Sequence, residues 1–87
     1  MKIYIGEKGL KQSWQDSFPK IVKCHKCGSE ARIMFVGQEH YPEDKGKFIC
    51  ELRKNGGEGA YWVHDAIAVA VYLCKKCFEP NIILNQA

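Results

Sequence analysis

The sequence predicts a small mainly-β domain built from antiparallel hairpins, and three observations carry that expectation. From Ala66 to Leu73 the residues alternate: Ile67, Val69, Val71 and Leu73 fall on one side of an extended chain, and Ala66, Ala68, Ala70 and Tyr72 on the other. The runs 21–23 and 31–36 are rich in β-branched and apolar residues, the composition of strands. Clusters of Gly, Pro, Asn and Asp punctuate the chain between these runs, and such residues favour turns.

Taken in order, Lys2 to Ile5 reads as an opening strand and Gly6-Glu7-Lys8-Gly9 as a turn. Leu10, Trp14 and Phe18 recur every fourth residue, so a short N-terminal helical turn is expected there, ended by Pro19. Trp14 and Phe18 are expected to cap the core rather than bind a ligand. Ile21-Val22-Lys23, then Cys24 to Gly28, then Ala31 to Val36 read as strand, hook, strand. Gly37 to Lys47, with Pro42, Asp44 and Gly46, reads as a solvated loop, and Lys47 to Arg53 as another strand. Asn55-Gly56-Gly57-Glu58-Gly59 reads as the tip of a hairpin with the segment after Ala60. Ala66 to Leu73 reads as a strand because its β-branched residues alternate so regularly; a helix capped by Asp65 is the rival reading.

Composition excludes several classes. With 46% hydrophobic and 26% charged residues the chain is close to the globular average, which argues against wholesale disorder. Its longest mostly apolar stretch, Ala66 to Leu73, is far shorter than the roughly 20 residues that span a bilayer. No apolar signal-peptide core follows Met1, so secretion is not expected. A single domain over 1–87 is expected, and a chain of this size buries only about 60–65% of the surface it exposes when unfolded, so a staple is expected too. A net charge of +3 neither demands nor excludes a nucleic-acid partner.

The five cysteines suggest what the staple is. An odd number, no export signal and an arrangement as two Cys-x-x-Cys pairs fit thiols in the cytoplasm or another reducing compartment. Two such pairs, Cys24/Cys27 and Cys74/Cys77, supply the four thiolates that tetrahedral zinc takes, with backbone N–H groups of each turn free to donate to sulfur. Gly28 follows the first pair, where the backbone often needs a conformation that side chains resist. Phe78 holds that place in the second pair, which is therefore expected to close with ordinary geometry. Iron in a rubredoxin-like site, a redox dithiol and disulfide pairing are the alternatives.

Through Cys24, Cys27, Gly28, Cys74 and Cys77, with strand-like flanks on both sides, the chain resembles the zinc-ribbon family, in which paired hooks projecting from β-hairpins grip one metal. The resemblance covers about residues 21–78 and implies an inserted loop or hairpin, because 46 residues separate Cys27 from Cys74. The family serves many systems, so the resemblance implies an architecture more than a task.

The remaining residues carry weaker expectations. Cys50, without a nearby partner in sequence, is expected in the core. His25 is expected to point outward from its hook, and His40 and His64 are not expected as ligands. Converging hooks would cluster Lys20, Lys23, Lys26, Arg32, Lys75 and Lys76, either to balance the thiolates or to contact phosphates, with His25, Tyr72 or Phe78 as stacking surfaces. Lys23, Lys26, Lys75 and Lys76 would form that basic surface. The functional expectation is a noncatalytic module that binds one structural zinc and a protein or nucleic acid; an iron electron-transfer or Cys-x-x-Cys redox protein is the alternative. No small-molecule substrate is evident, and catalysis is not expected, because a closed four-thiolate site offers no open position and no nucleophile and base lie together.

Overall fold

In a computed structural model of the chain, the residues described are 1–39, 48–54, 61 and 66–86. They form an antiparallel sheet with almost no helix. Its strands are β1 (Lys2–Ile5), β2 (Ile21–Lys23), β3 (Glu30–Gln38), β4 (Cys50–Glu51), β5 (Ile67–Cys74) and β6 (Pro80–Gln86). The order across the sheet is β4-β1-β3-β5-β6, with β2 also paired to β3. β1 and β2 share one edge of β3: β2 takes its first residues, Glu30 to Arg32, and β1 takes Phe35 to Gln38.

The alternation in β5 survives folding, and the small-residue side faces the core. Ala68, Ala70, Tyr72 and Cys74 are fully buried, whereas Val69, Val71 and Leu73 are half-buried. The segment after the first turn crosses this inner face: Leu10, Trp14 and Phe18 pack against it, as expected of the aromatics. Its polar groups are anchored too, with the Trp14 backbone N–H donating to Asn85 Oδ1 (3.1 Å) and the Tyr72 hydroxyl to the Pro19 carbonyl (2.6 Å). Alanines leave room for that crossing chain, and large side chains would lift it off the sheet.

A bulge keeps β3 in step with this face. Between Ile33 and Phe35 the pairing with β5 shifts by one residue, leaving Met34 as the extra one. Ala31 and Ile33 below the bulge, and Val36 and Gln38 above it, thereby oppose Cys74, Tyr72, Ala70 and Ala68, all on the inner side. Without that insertion the period-two rule would turn Val36 outward.

Four expectations change here. Residues 10–18 form no helix; a 3-10 turn occupies Gly6–Gly9 instead, because Gly6 supplies a positive φ (58°) that turns the chain directly out of β1. β3 continues through Gly37 and Gln38 rather than ending in a loop at Val36. A Cβ on Gly37 would lie 3.0 Å from Met1 Sδ and 3.3 Å from Ile3 Cδ1, so this glycine permits close packing inside a strand. The strand expected over Lys47 to Arg53 shortens to Cys50–Glu51, which pairs with β1. β6 is an additional strand. The proposed tip 55–59 and most of the loop before Lys47 lie outside the described residues.

Candidate metal centre

Both Cys-x-x-Cys turns are hairpin connections, one joining β2 to β3 and the other β5 to β6. In the first, the Cys24 N–H donates to the Ser29 carbonyl (2.7 Å) and the Gly28 N–H to the Cys24 carbonyl (3.0 Å). In the second, the Cys74 N–H donates to the Glu79 carbonyl (3.0 Å) and the Phe78 N–H to the Cys74 carbonyl (3.1 Å). The two knuckles thus repeat one bond pattern. The repetition extends to the backbone: Gly28 has φ 77° and Phe78 has φ 61°. The expected ordinary geometry after Cys77 is not what is found. Hairpin closure imposes the left-handed conformation on Phe78, at a cost of about 1–2 kcal/mol for a residue with a Cβ.

Long-range pairing then brings the knuckles together. β3 and β5 run antiparallel with Ala31 opposite Cys74, so the start of one strand and the end of the other share a level in the sheet. Cys27 Sγ lies 3.4 Å from Cys74 Sγ and Cys24 Sγ lies 3.8 Å from Cys77 Sγ. All four sulfurs fall within 4.8 Å of one another, close enough to hold a metal ion. A tetrahedron with metal–sulfur bonds of about 2.3 Å has edges of about 3.8 Å, whereas a disulfide needs about 2.05 Å. The donor set fits a tetrahedral, thiophilic ion such as zinc or iron.

The electrostatics match. The Lys76 and Cys77 N–H groups approach Cys74 Sγ at 3.4 and 3.5 Å, and the Cys27 and Lys26 N–H groups serve Cys24 in the same way. With the Cys27 N–H as the largest influence, Cys24 falls from 9.0 to about 6. The Ser29 N–H and hydroxyl lower Cys27 as well. At Cys77 the Glu79 N–H pulls down, but burial and the other three sulfurs together push the thiol up to about 12. Four thiols at this spacing cannot all ionise without a cation among them, so the donor set is one that a divalent ion completes.

Asn81 stitches the knuckles to each other. It is buried, its Oδ1 accepts from the His25 N–H (2.8 Å), and its Nδ2 donates to the Glu79 carbonyl (3.0 Å) and faces Cys24 Sγ (3.6 Å). Sequence reasoning missed this residue. Its only local signal is its position two after Glu79, on a strand that the sequence does not announce.

Several of the basic residues beside the hooks have acidic partners. Glu30 accepts from Arg32 Nε (2.8 Å) and pairs with Lys75 (3.4 Å); the Arg32 hydrogen bond chiefly holds its carboxyl below the usual range. Glu79 pairs with Lys26 (3.6 Å), and Lys20 pairs with Glu7 (3.5 Å). Lys23 and Lys76 form no ion pair among the described residues. His25 points outward as expected, its Nε2 lying 3.3 Å from the Pro80 carbonyl oxygen. Cys50 is exposed on β4 rather than buried in the core: the strand there is two residues long and lies at the edge of the sheet, beside β1. It pairs with Ile3, and Ile3 with Gly37, which lies roughly 20 Å along β3 from the knuckles. His40 and His64 lie outside the described residues.

Comparisons with protein-family models, curated proteins and solved structures give no match for this chain. The site is therefore read from its own chemistry. No helix among the described residues is long and apolar enough to cross a membrane.

Proposed function

We propose that the chain is a noncatalytic zinc-ribbon-like module in which Cys24, Cys27, Cys74 and Cys77 ligate one structural zinc, and whose metal-organised tip docks a protein partner. The observation that carries this reading is the convergence of two matching hairpin knuckles on a sulfur tetrahedron of metal-binding size. Structural zinc contributes roughly 10–16 kcal/mol in small finger peptides, comparable with the whole stability of a small domain. A four-thiolate shell leaves no coordination position for activated water, which supports a role outside hydrolysis.

Charge favours protein over nucleic acid. Around the tip Lys23, Lys26, Arg32, Lys75 and Lys76 face Glu30, Glu79 and four thiolates around a divalent ion, leaving roughly one net positive charge. A nucleic-acid footprint needs an uncompensated basic patch. Phe78 supports a docking role: it is 69% exposed at the tip and stands where glycine would be easier.

Metal analysis joined to native mass measurement tests the reading. One zinc per chain in a colourless sample is expected. A red, iron-containing sample moves the chain to electron transfer, and a demetallated protein that stays folded without affinity for zinc overturns the proposal. Oligonucleotide binding that weakens steeply with salt, and is lost when Lys23 and Lys76 become Gln, would make the partner a nucleic acid.

A further inference from the structure

β6 ends the sheet on the side away from β4, and its outer edge is unlike the others. β2 and β4 are short, and Lys23 and Glu51 place charge on them, whereas the seven residues Pro80–Gln86 contain no charge. Natural sheets guard such edges with charges, bulges or shortness. Only Pro80, at the start of β6, serves that purpose.

The backbone of this edge divides cleanly. The Cys74 N–H bonds to the Glu79 carbonyl, so alternation along the ladder turns the N–H and C=O groups of Asn81, Ile83 and Asn85 toward β5. Those of Ile82 and Leu84 face outward. Two side-chain contacts agree with this parity: the outward carbonyls of Pro80 and Gln86 meet His25 Nε2 (3.3 Å) and Gln15 Nε2 (3.3 Å). Between these pinned ends, the backbone groups of Ile82 and Leu84 have no partner among the described residues. Their side chains stand on the open face of the sheet, 64% and 53% exposed.

We propose that this edge pairs with the β6 edge of a second copy of the chain, antiparallel about a two-fold axis through Ile83. The sequence of β6 is self-complementary in that register. Ile82 then lies opposite Leu84 of the partner subunit, and Asn81 opposite Asn85 of the partner subunit, so apolar meets apolar and amide meets amide. No charge opposes a like charge. Each Ile82–Leu84 pair exchanges both of its N–H···O bonds, using the backbone groups left open by β5. The metal centres sit at opposite ends of the joined strands and take no part, so the pairing stands whether or not the metal proves to be zinc.

Sedimentation of the metal-loaded chain over a dilution series tests this. The expected result is a concentration-dependent doubling of the 9.9 kDa mass. Changing Ile82→Lys together with Leu84→Lys places introduced lysines opposite one another and should abolish the dimer with metal content unchanged. Ile82→Lys together with Leu84→Glu places each lysine beside a glutamate of the partner and should restore it, now sensitively to salt. Dimerisation that survives the double-lysine change, or is lost equally in both variants, overturns the proposed register. An unmutated arm guards against variants that fail to fold: amide exchange at Ile82 and Leu84 in the native sequence should slow by about tenfold on concentration. A mass that stays monomeric at every concentration, with those amides unprotected, overturns the pairing and leaves the edge to a foreign strand.

Discussion

The two knuckles have the same backbone hydrogen bonds and the same two-residue spacer, yet one closes on Gly28 and the other on Phe78. The difference teaches that the two-residue spacer and the closing strands dictate the turn, while the residue at its left-handed position sets only what the turn costs. They differ a second time two residues after Ser29 and Glu79. Ala31 in the first knuckle offers no polar group, whereas Asn81 in the second reaches across to the backbone of the first.

The largest break in this comparison comes from the ligands. Cys24→Ser and Cys74→Ser should each release the metal and abolish cooperative folding, equally from either knuckle, as read by metal stoichiometry and circular dichroism. Cys50→Ser should retain full metal content. Loss in that variant too would place Cys50 at the site against its position on β4.

A smaller effect separates the knuckles. Asn81→Ala leaves the part-buried His25 N–H without its acceptor and the Glu79 carbonyl with the Cys74 N–H alone, and should cost about 1–3 kcal/mol in denaturant unfolding while the metal stays bound. Loss of metal in this variant would make Asn81 part of the ligand geometry rather than a stitch beside it.

Smaller still is the backbone term, where the knuckles should respond with opposite signs. Gly28→Ala should destabilise by about 1 kcal/mol; its Cβ would meet only Lys23 Cε at 3.4 Å, so the cost is conformational. Phe78→Gly should stabilise by a few tenths to about 1 kcal/mol, since the exposed ring has little burial to lose. Destabilisation by Phe78→Gly would mean that the ring packs more than its exposure implies.

A last contrast concerns pH in metal-free protein. Cys24, depressed to about 6, favours the fold fully above its ordinary 9.0, and that contribution disappears as pH falls through 6. Cys77, raised to about 12, opposes the fold increasingly as pH rises above 9.0. Thiolate absorbance should therefore begin near pH 6 and reach its plateau only near pH 12. A single transition near 9.0 would mean that the knuckles do not meet without metal.

Local signals made part of this molecule legible before folding. Two Cys-x-x-Cys spacings name the candidate ligands because chelation by a tight turn is a property of a few adjacent residues. The alternation from Ala66 onward identifies β5 because a strand's two faces are written in neighbouring side chains. Gly28 likewise announces its turn. Tertiary structure decided the rest: that Ala31 lies opposite Cys74, that a bulge at Met34 holds the inner face in register, and that the alanine side of β5 is the buried one. It also forced Phe78 into a conformation its own side chain opposes and left Cys50 outside the core. Those outcomes depend on which strand pairs with which across tens of residues, and pairing is chosen by the summed burial of whole faces, a quantity that no short stretch of sequence contains.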